Sequence, residues 1–176
     1  DGRVHTTSLA NGEVVRTMQL DAKNIRLAAV SDDGLHIALI WGSPALIGDG
    51  DVNGTGAVRI LGEAPSAVGS MAIAHDAGRV ATIHKSMIGL WDCTGGPPIF
   101  VDAGCWGGLI TFSRDGRQVG IGCAGSFRVL DAATGEVVHQ QTVANAGPAV
   151  ALISEAAHLL TGGTDKKVRI IDLQNG

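Results

Sequence analysis

Leu109-Ile110-Thr111-Phe112-Ser113-Arg114-Asp115-Gly116-Arg117-Gln118-Val119-Gly120-Ile121 is the stretch that decides the fold. Apolar residues alternate with polar ones on both sides of an Asp-Gly turn, the pattern of a β-hairpin. The same unit recurs along the chain. Ser31-Asp32-Asp33-Gly34, Ala74 to Gly78 and Ser154-Glu155-Ala156-Ala157 line up with Ser113 to Gly116, and their first residues lie 43, 39 and 41 positions apart. Each turn follows an alternating run (Ile25 to Val30, Met71 to Ile73, Leu109 to Phe112, Val150 to Ile153) and precedes another.

A second series is independent of the first. Ser8, Asp49, Asp92, Asp131 and Asp172 take equivalent places, separated by 41, 43, 39 and 41 residues. Ala10-Asn11-Gly12, Cys93-Thr94-Gly95, Ala133-Thr134-Gly135 and Gln174-Asn175-Gly176 follow, with a Gly able to take positive φ in a turn. Two phase-locked series with one period establish an internal repeat.

Leu90-Trp91-Asp92-Cys93-Thr94-Gly95, Val129-Leu130-Asp131-Ala132-Ala133-Thr134-Gly135-Glu136, Thr111 to Gly116 and Thr161 to Asp172 together resemble the Trp-Asp (WD) repeat family over essentially the whole chain. The resemblance implies an all-β chain forming a β-propeller of four-stranded antiparallel blades, strands a to d. It also implies structural roles for Trp91, for Asp92 and for Asp165 as the Asp of a b–c turn. Gly42, Lys85 and Ala124 stand at that turn position in other repeats, only Asp165 and Asp1 match it, and the Gly-His pair before strand a is missing. Blades without that hydrogen-bonded set are expected to hold by apolar packing. YVTN or quinoprotein-type propellers are related alternatives, toward which Ala146-Gly147-Pro148 leans.

The expected organisation is a lone strand in residues 1–11, then repeats at 12–53, 54–95, 96–135 and 136–176. The chain would open in strand c, run through three full blades and end on an abc set, as part of a larger ring. Two copies closing an eight-bladed ring is the alternative. Asp1-Gly2 at the start reads as processed material or a segment of something longer, without a signal peptide.

Composition narrows the class. The chain of 176 residues is 45% hydrophobic, with 26 Gly, three Trp, three Phe and no Tyr, as short strands joined by tight turns require. A net charge of −4 with scattered basic residues argues against nucleic acid. No apolar run approaches the ~20 residues of a membrane helix. Cys93, Cys105 and Cys123 form no metal-type pair, so reduced thiols and a cytoplasmic location are expected.

Candidate chemistry is sparse. Gly120-Ile121-Gly122-Cys123-Ala124-Gly125 matches a dinucleotide pattern, but Phe127 to Leu130 reads as a strand where that site needs a helix, so a b–c turn is expected. Asp49, Asp51 and Asn53 begin like a calcium loop, yet Ile60 stands where the bidentate Glu belongs. The alternative there is a polar c–d turn lengthened by two or three residues. The six histidines are singletons, and no Gly-x-Ser-x-Gly elbow occurs. No cofactor is expected.

Trp106 falls in a d–a connection, as a hot spot for a partner or as a lid on the blade seam. Lys23, Asp21 and Asn145 from the d–a loops and Lys85 and Lys166 from the b–c turns would share its rim. The functional expectation is a non-enzymatic scaffold docking a protein or peptide on this loop face. The alternatives are an oxidoreductase or lactonase-like propeller enzyme, a calcium-binding propeller, or a spacer between domains of a longer chain.

Overall fold

The computed structural model describes residues 2–20, 22–52, 54, 57–153 and 157–175. Among them the chain forms seventeen strands and no helix, so none is long and apolar enough to cross a membrane. All pairings are antiparallel and follow chain order. β1 (Arg3–Thr7) and β2 (Val14–Gln19) form a two-stranded ribbon. The first four-stranded sheet is β3 (Ile25–Val30), β4 (His36–Trp41), β5 (Leu46–Asp51) and β6 (Val58–Glu63). The second is β7 (Val68–Ile73), β8 (Arg79–His84), β9 (Met87–Asp92) and β10 (Ile99–Asp102). The third is β11 (Leu109–Phe112), β12 (Gln118–Cys123), β13 (Ser126–Asp131) and β14 (Val137–Thr142). A three-stranded sheet closes the series with β15 (Ala146–Ile153), β16 (His158–Gly163) and β17 (Val168–Asp172).

The five sheets stack face to face in chain order. Each seam holds its own apolar core: Met18, Leu39 and Trp41 in the first, Ile40, Val80 and Trp91 in the second, Ile83, Ile121 and Leu130 in the third, Phe127 and Leu159 in the fourth. The first strands β3, β7, β11 and β15 lie beside one another across these seams. The second strands β4, β8 and β12 are buried on both faces, hence their near-continuous apolar runs (Ile37 to Trp41, Val80 to Ile83), whereas β16 alternates buried and half-buried residues and the fourth strands β6 and β14 are more exposed.

The turns explain the repeat. Ser31 and Ser113 are buried; each hydroxyl accepts from the backbone N–H of His36 or Gln118 (3.0 Å in both) and donates to Asp33 or Asp115. Those bonds hold both carboxyls below their ordinary range, and Gly34 and Gly116 supply a φ of 70°. Ala77 takes the same left-handed position (φ 54°) in the second sheet, which costs about 1 kcal/mol for a residue with a Cβ. The matching residues 154–156 lie outside the described residues.

Register corrects one alignment. Arg79 faces Asp92, Gln118 faces Asp131 and His158 faces Asp172, but His36 faces Asp51. Asp51, not Asp49, is therefore the partner of Asp92 in the repeat. The extra residues lie in the β4–β5 connection, Gly42-Ser43-Pro44-Ala45, with a cis Ser43–Pro44 bond, and not in the turn after β5. A slip of two residues keeps every side chain on its own face of the sheet, so the hydrophobic pattern does not register it.

Candidate docking face

Antiparallel order brings the turns between second and third strands, and the connections between sheets, to one end of the molecule. Lys85 and Lys166 occupy two of those turns with φ of 55° and 64°, where Gly42 (80°) and Gly125 (85°) stand in the other sheets. Lys23 and Asn145 lie exposed in the connections, and Asn145 has φ 63°. Asp21 lies outside the described residues.

Trp106 sits in the connection between β10 and β11 and is 78% exposed, so it does not cover a seam. Its loop is held from two directions. Toward the preceding sheet, the N–H of Gly107 donates to the Lys85 carbonyl (3.0 Å) and that of Ala103 to Ser86 (2.7 Å). Toward its own sheet, Cys105 is joined to Cys123 at the end of β12 by a disulfide. This corrects the expectation of three reduced thiols: the fold folds the loop back onto β12, which a sequence separation of 18 does not reveal. Cys93 alone is free, buried, with its thiol pushed up to about 12 chiefly by desolvation.

Two arginines cover the carboxylates of this end. Arg128 donates to the Asp102 carbonyl (3.0 Å), lies 3.7 Å from its carboxylate and passes across Gly104, where a Cβ would strike the guanidinium. Arg169 grips Asp165 with two bonds of 2.6 and 3.2 Å and holds its carboxyl below the ordinary range. Asp165 thus braces the turn in which Lys166 stands.

Trp91 is 1% exposed, and its indole N–H donates to the Thr82 hydroxyl (2.8 Å), which lies 2.6 Å from Nε2 of His84. His84 Nδ1 in turn lies 3.5 Å from the Ser66 carbonyl in the connection leading to β7. This corrects the expectation of apolar packing alone in that sheet. Sequence reading missed Thr82 and His84 because their signal is only a Thr-x-His spacing beside a Trp on the paired strand. Asp92 serves its own turn, accepting from the Thr94 N–H (2.7 Å) and hydroxyl, the hydroxyl bond being the larger cause of its lowered pKa.

Asp49, first of the candidate calcium ligands, is ion-paired. Both Asp49 oxygens are engaged by Arg59 of the facing strand, at 3.0 and 2.7 Å. Asp51 ends β5, and Asn53 lies outside the described residues. Among the described residues no three His, Cys, Asp or Glu side chains group as metal ligands. Gly120 and Gly122 lie in β12, where a Cβ would crowd Leu152 and the Pro148 carbonyl of β15; they permit sheets to approach, and no helix follows.

At the opposite end, a crevice of about 490 Å³ opens along the first strands, between Ile73, Phe112 and Leu152. Asp32 and His75 pair across its rim at 3.3 Å. The Ser113 hydroxyl at its edge is committed to its own turn.

No model of a known protein family matches the chain, and no curated protein matches it in sequence.

Proposed function

We propose that the chain is a β-propeller segment of Trp-Asp repeat type that works as a non-enzymatic docking platform, taking a protein or peptide on the end that displays Trp106. The propeller reading draws on four observations: a 41-residue period, sheets of up to four antiparallel strands, stacking in chain order, and adjoining first strands. The docking reading is carried by one. An indole 78% exposed stands on a loop fixed by a disulfide on one side and a backbone hydrogen bond on the other. Exposure of so large an apolar group suits a hot spot, and its fixed loop lowers the ordering cost of binding. Lys85, whose carbonyl accepts from Gly107, stands beside that loop as an adaptable polar contact. The disulfide belongs to oxidising surroundings, which weighs against a cytoplasmic location.

The test is selection of displayed random dodecapeptides on the immobilised chain. Selected peptides should lose affinity about tenfold or more with Trp106→Ala, as hot-spot truncations do. Peptides that bind Trp106→Ala as tightly as the parent chain would remove this face from consideration.

A further inference from the structure

The two ends of the sheets differ in charge. All four lysines of the chain, Lys23, Lys85, Lys166 and Lys167, lie at the Trp106 end and are exposed. Among the described residues none of them is ion-paired. The carboxylates distribute the other way: Asp33, Asp76 and Asp115 stand in the turns after the first strands, and Asp92, Asp131 and Asp172 end third strands at the same, far end. Arg79, Arg114 and Arg117 also lie there, but no lysine does.

At the Trp106 end the described carboxylates are Glu63, Asp102 and Asp165. Arg128 and Arg169 cancel the last two. Among the described residues the four lysines therefore face one uncancelled carboxylate, Glu63, on a chain whose net charge is −4. Among the described residues that is an excess of positive charge at one end of a negative protein, the end that also carries the fixed indole beside Lys85. Such a surface steers and holds a partner of opposite sign.

We propose that this end takes an acidic peptide segment, one apolar side chain against Trp106 and its carboxylates among Lys85, Lys166 and Lys167. The inference rests on the docking reading above and names the partner's chemistry. A neutral ligand would leave the lysines without use, and a basic one would be repelled by them.

The dodecapeptides selected on the intact chain provide the test. Asp and Glu should be enriched several-fold over the unselected library. A synthetic copy of the best peptide should bind Lys85→Glu/Lys166→Glu about tenfold more weakly, and its binding to the parent chain should weaken as salt rises through the range where charges are screened. Replacing its acids by Asn and Gln should produce a similar loss. Both lysines are exposed, so unchanged thermal midpoints will show that the variants are folded. Trp41 and Trp91 are buried, so a shift in tryptophan emission on binding reports Trp106. Peptides that need Trp106 but show no acidic enrichment and ignore the lysine changes would overturn this inference and leave the docking reading standing. Failure to select any peptide would end both. A twelve-nucleotide oligo-dT that binds more tightly than the acidic peptide would reassign the face to nucleic acid.

Discussion

The first two four-stranded sheets and the last two sheets fill one shared position in opposite ways. On the third strand, opposite the fourth residue of the second, the first two sheets carry Gly48 and Gly89, paired with Leu39 and Thr82. The later sheets carry Arg128 and Arg169, paired with Ile121 and Thr161. Where the third strand has Gly, the second strand ends in a large ring. A Cβ on Gly48 would meet the Trp41 ring at 2.7 Å, and one on Gly89 would meet the indole of Trp91 at 2.8 Å and His84 at 3.0 Å. Where it has Arg, the second strand ends in a small residue, Cys123 or Gly163, and the guanidinium runs out to Asp102 or Asp165. Volume is conserved while its donor changes strand, as close packing demands.

In three of the sheets the end of the second strand is also where the incoming connection is tied. His84 reaches the Ser66 carbonyl, Cys123 bonds covalently to Cys105, and beyond Gly163 the Thr164 N–H donates to Asn145 at 2.9 Å. One architectural task is met by an imidazole, a disulfide and a bare peptide group. The four repeats thus share topology while diverging in the residues that fasten it.

The reciprocity can be broken by exchange. Gly89→Arg places a guanidinium into an occupied seat and should cost roughly 3 kcal/mol or more, as core overpacking with loss of a buried network does. Arg128→Gly, the reverse change, should cost about 1 kcal/mol, since it removes a partly exposed pair and adds backbone freedom. Urea denaturation reads both, and equal costs would show that the two positions are not equivalent.

Covalent and polar tethers should differ next. Removing the disulfide with Cys105→Ala/Cys123→Ala opens a loop of 18 residues and should cost about 3 kcal/mol by loop-closure entropy. Trp106 emission anisotropy should fall in the same variant. A cost under about 0.5 kcal/mol, far below that expectation, would mean that the bond to the Lys85 carbonyl holds the loop unaided.

The polar tether carries a pH signature that the disulfide lacks. Burial holds His84 below the ordinary imidazole value of 6.5, with the Ser66 carbonyl opposing. The neutral ring is the native form, and below about pH 6.5 the unfolded chain takes up a proton that the folded chain resists. Stability from this site is therefore complete above that pH and is lost as pH falls through the lower native value. The urea midpoint of the parent chain should fall between about pH 7 and pH 5 more steeply than that of His84→Gln. Parallel profiles would take His84 out of the account.

The smallest effect belongs to Asp49 and Arg59, a partly exposed pair. Arg59→Gln should cost under about 1 kcal/mol. A larger loss in the same denaturation assay would make that pair a determinant of the β5–β6 register.

Most strands were legible because Ser-x-Asp-Gly turns and period-two alternation are local signals, as at Ser31 and Ser113. The two-residue insertion at Ser43-Pro44 was not, since it preserves side-chain parity, and Asp49 took the place of Asp51. Trp91 was visible as half of a dipeptide, but its partners were not: Thr82 and His84 meet it only through strand pairing. The disulfide was hidden for a similar reason, its cysteines lying in a connection and a strand end whose meeting is set by the fold. Of the proposed docking face, Trp106 and the turn lysines could be assigned to one end from strand order alone. That Arg128 and Arg169 neutralise its acids required side-chain geometry.

The Cys105–Cys123 bond also determines how the chain would respond to a cut. Arg114 and Arg117 are exposed in the β11–β12 turn, inside the ring which that bond closes. Trypsin cleaving after Arg114 would sever the backbone yet leave residues 1–114 and 115–176 joined through sulfur. The nicked molecule would migrate as one band until a reductant parts it.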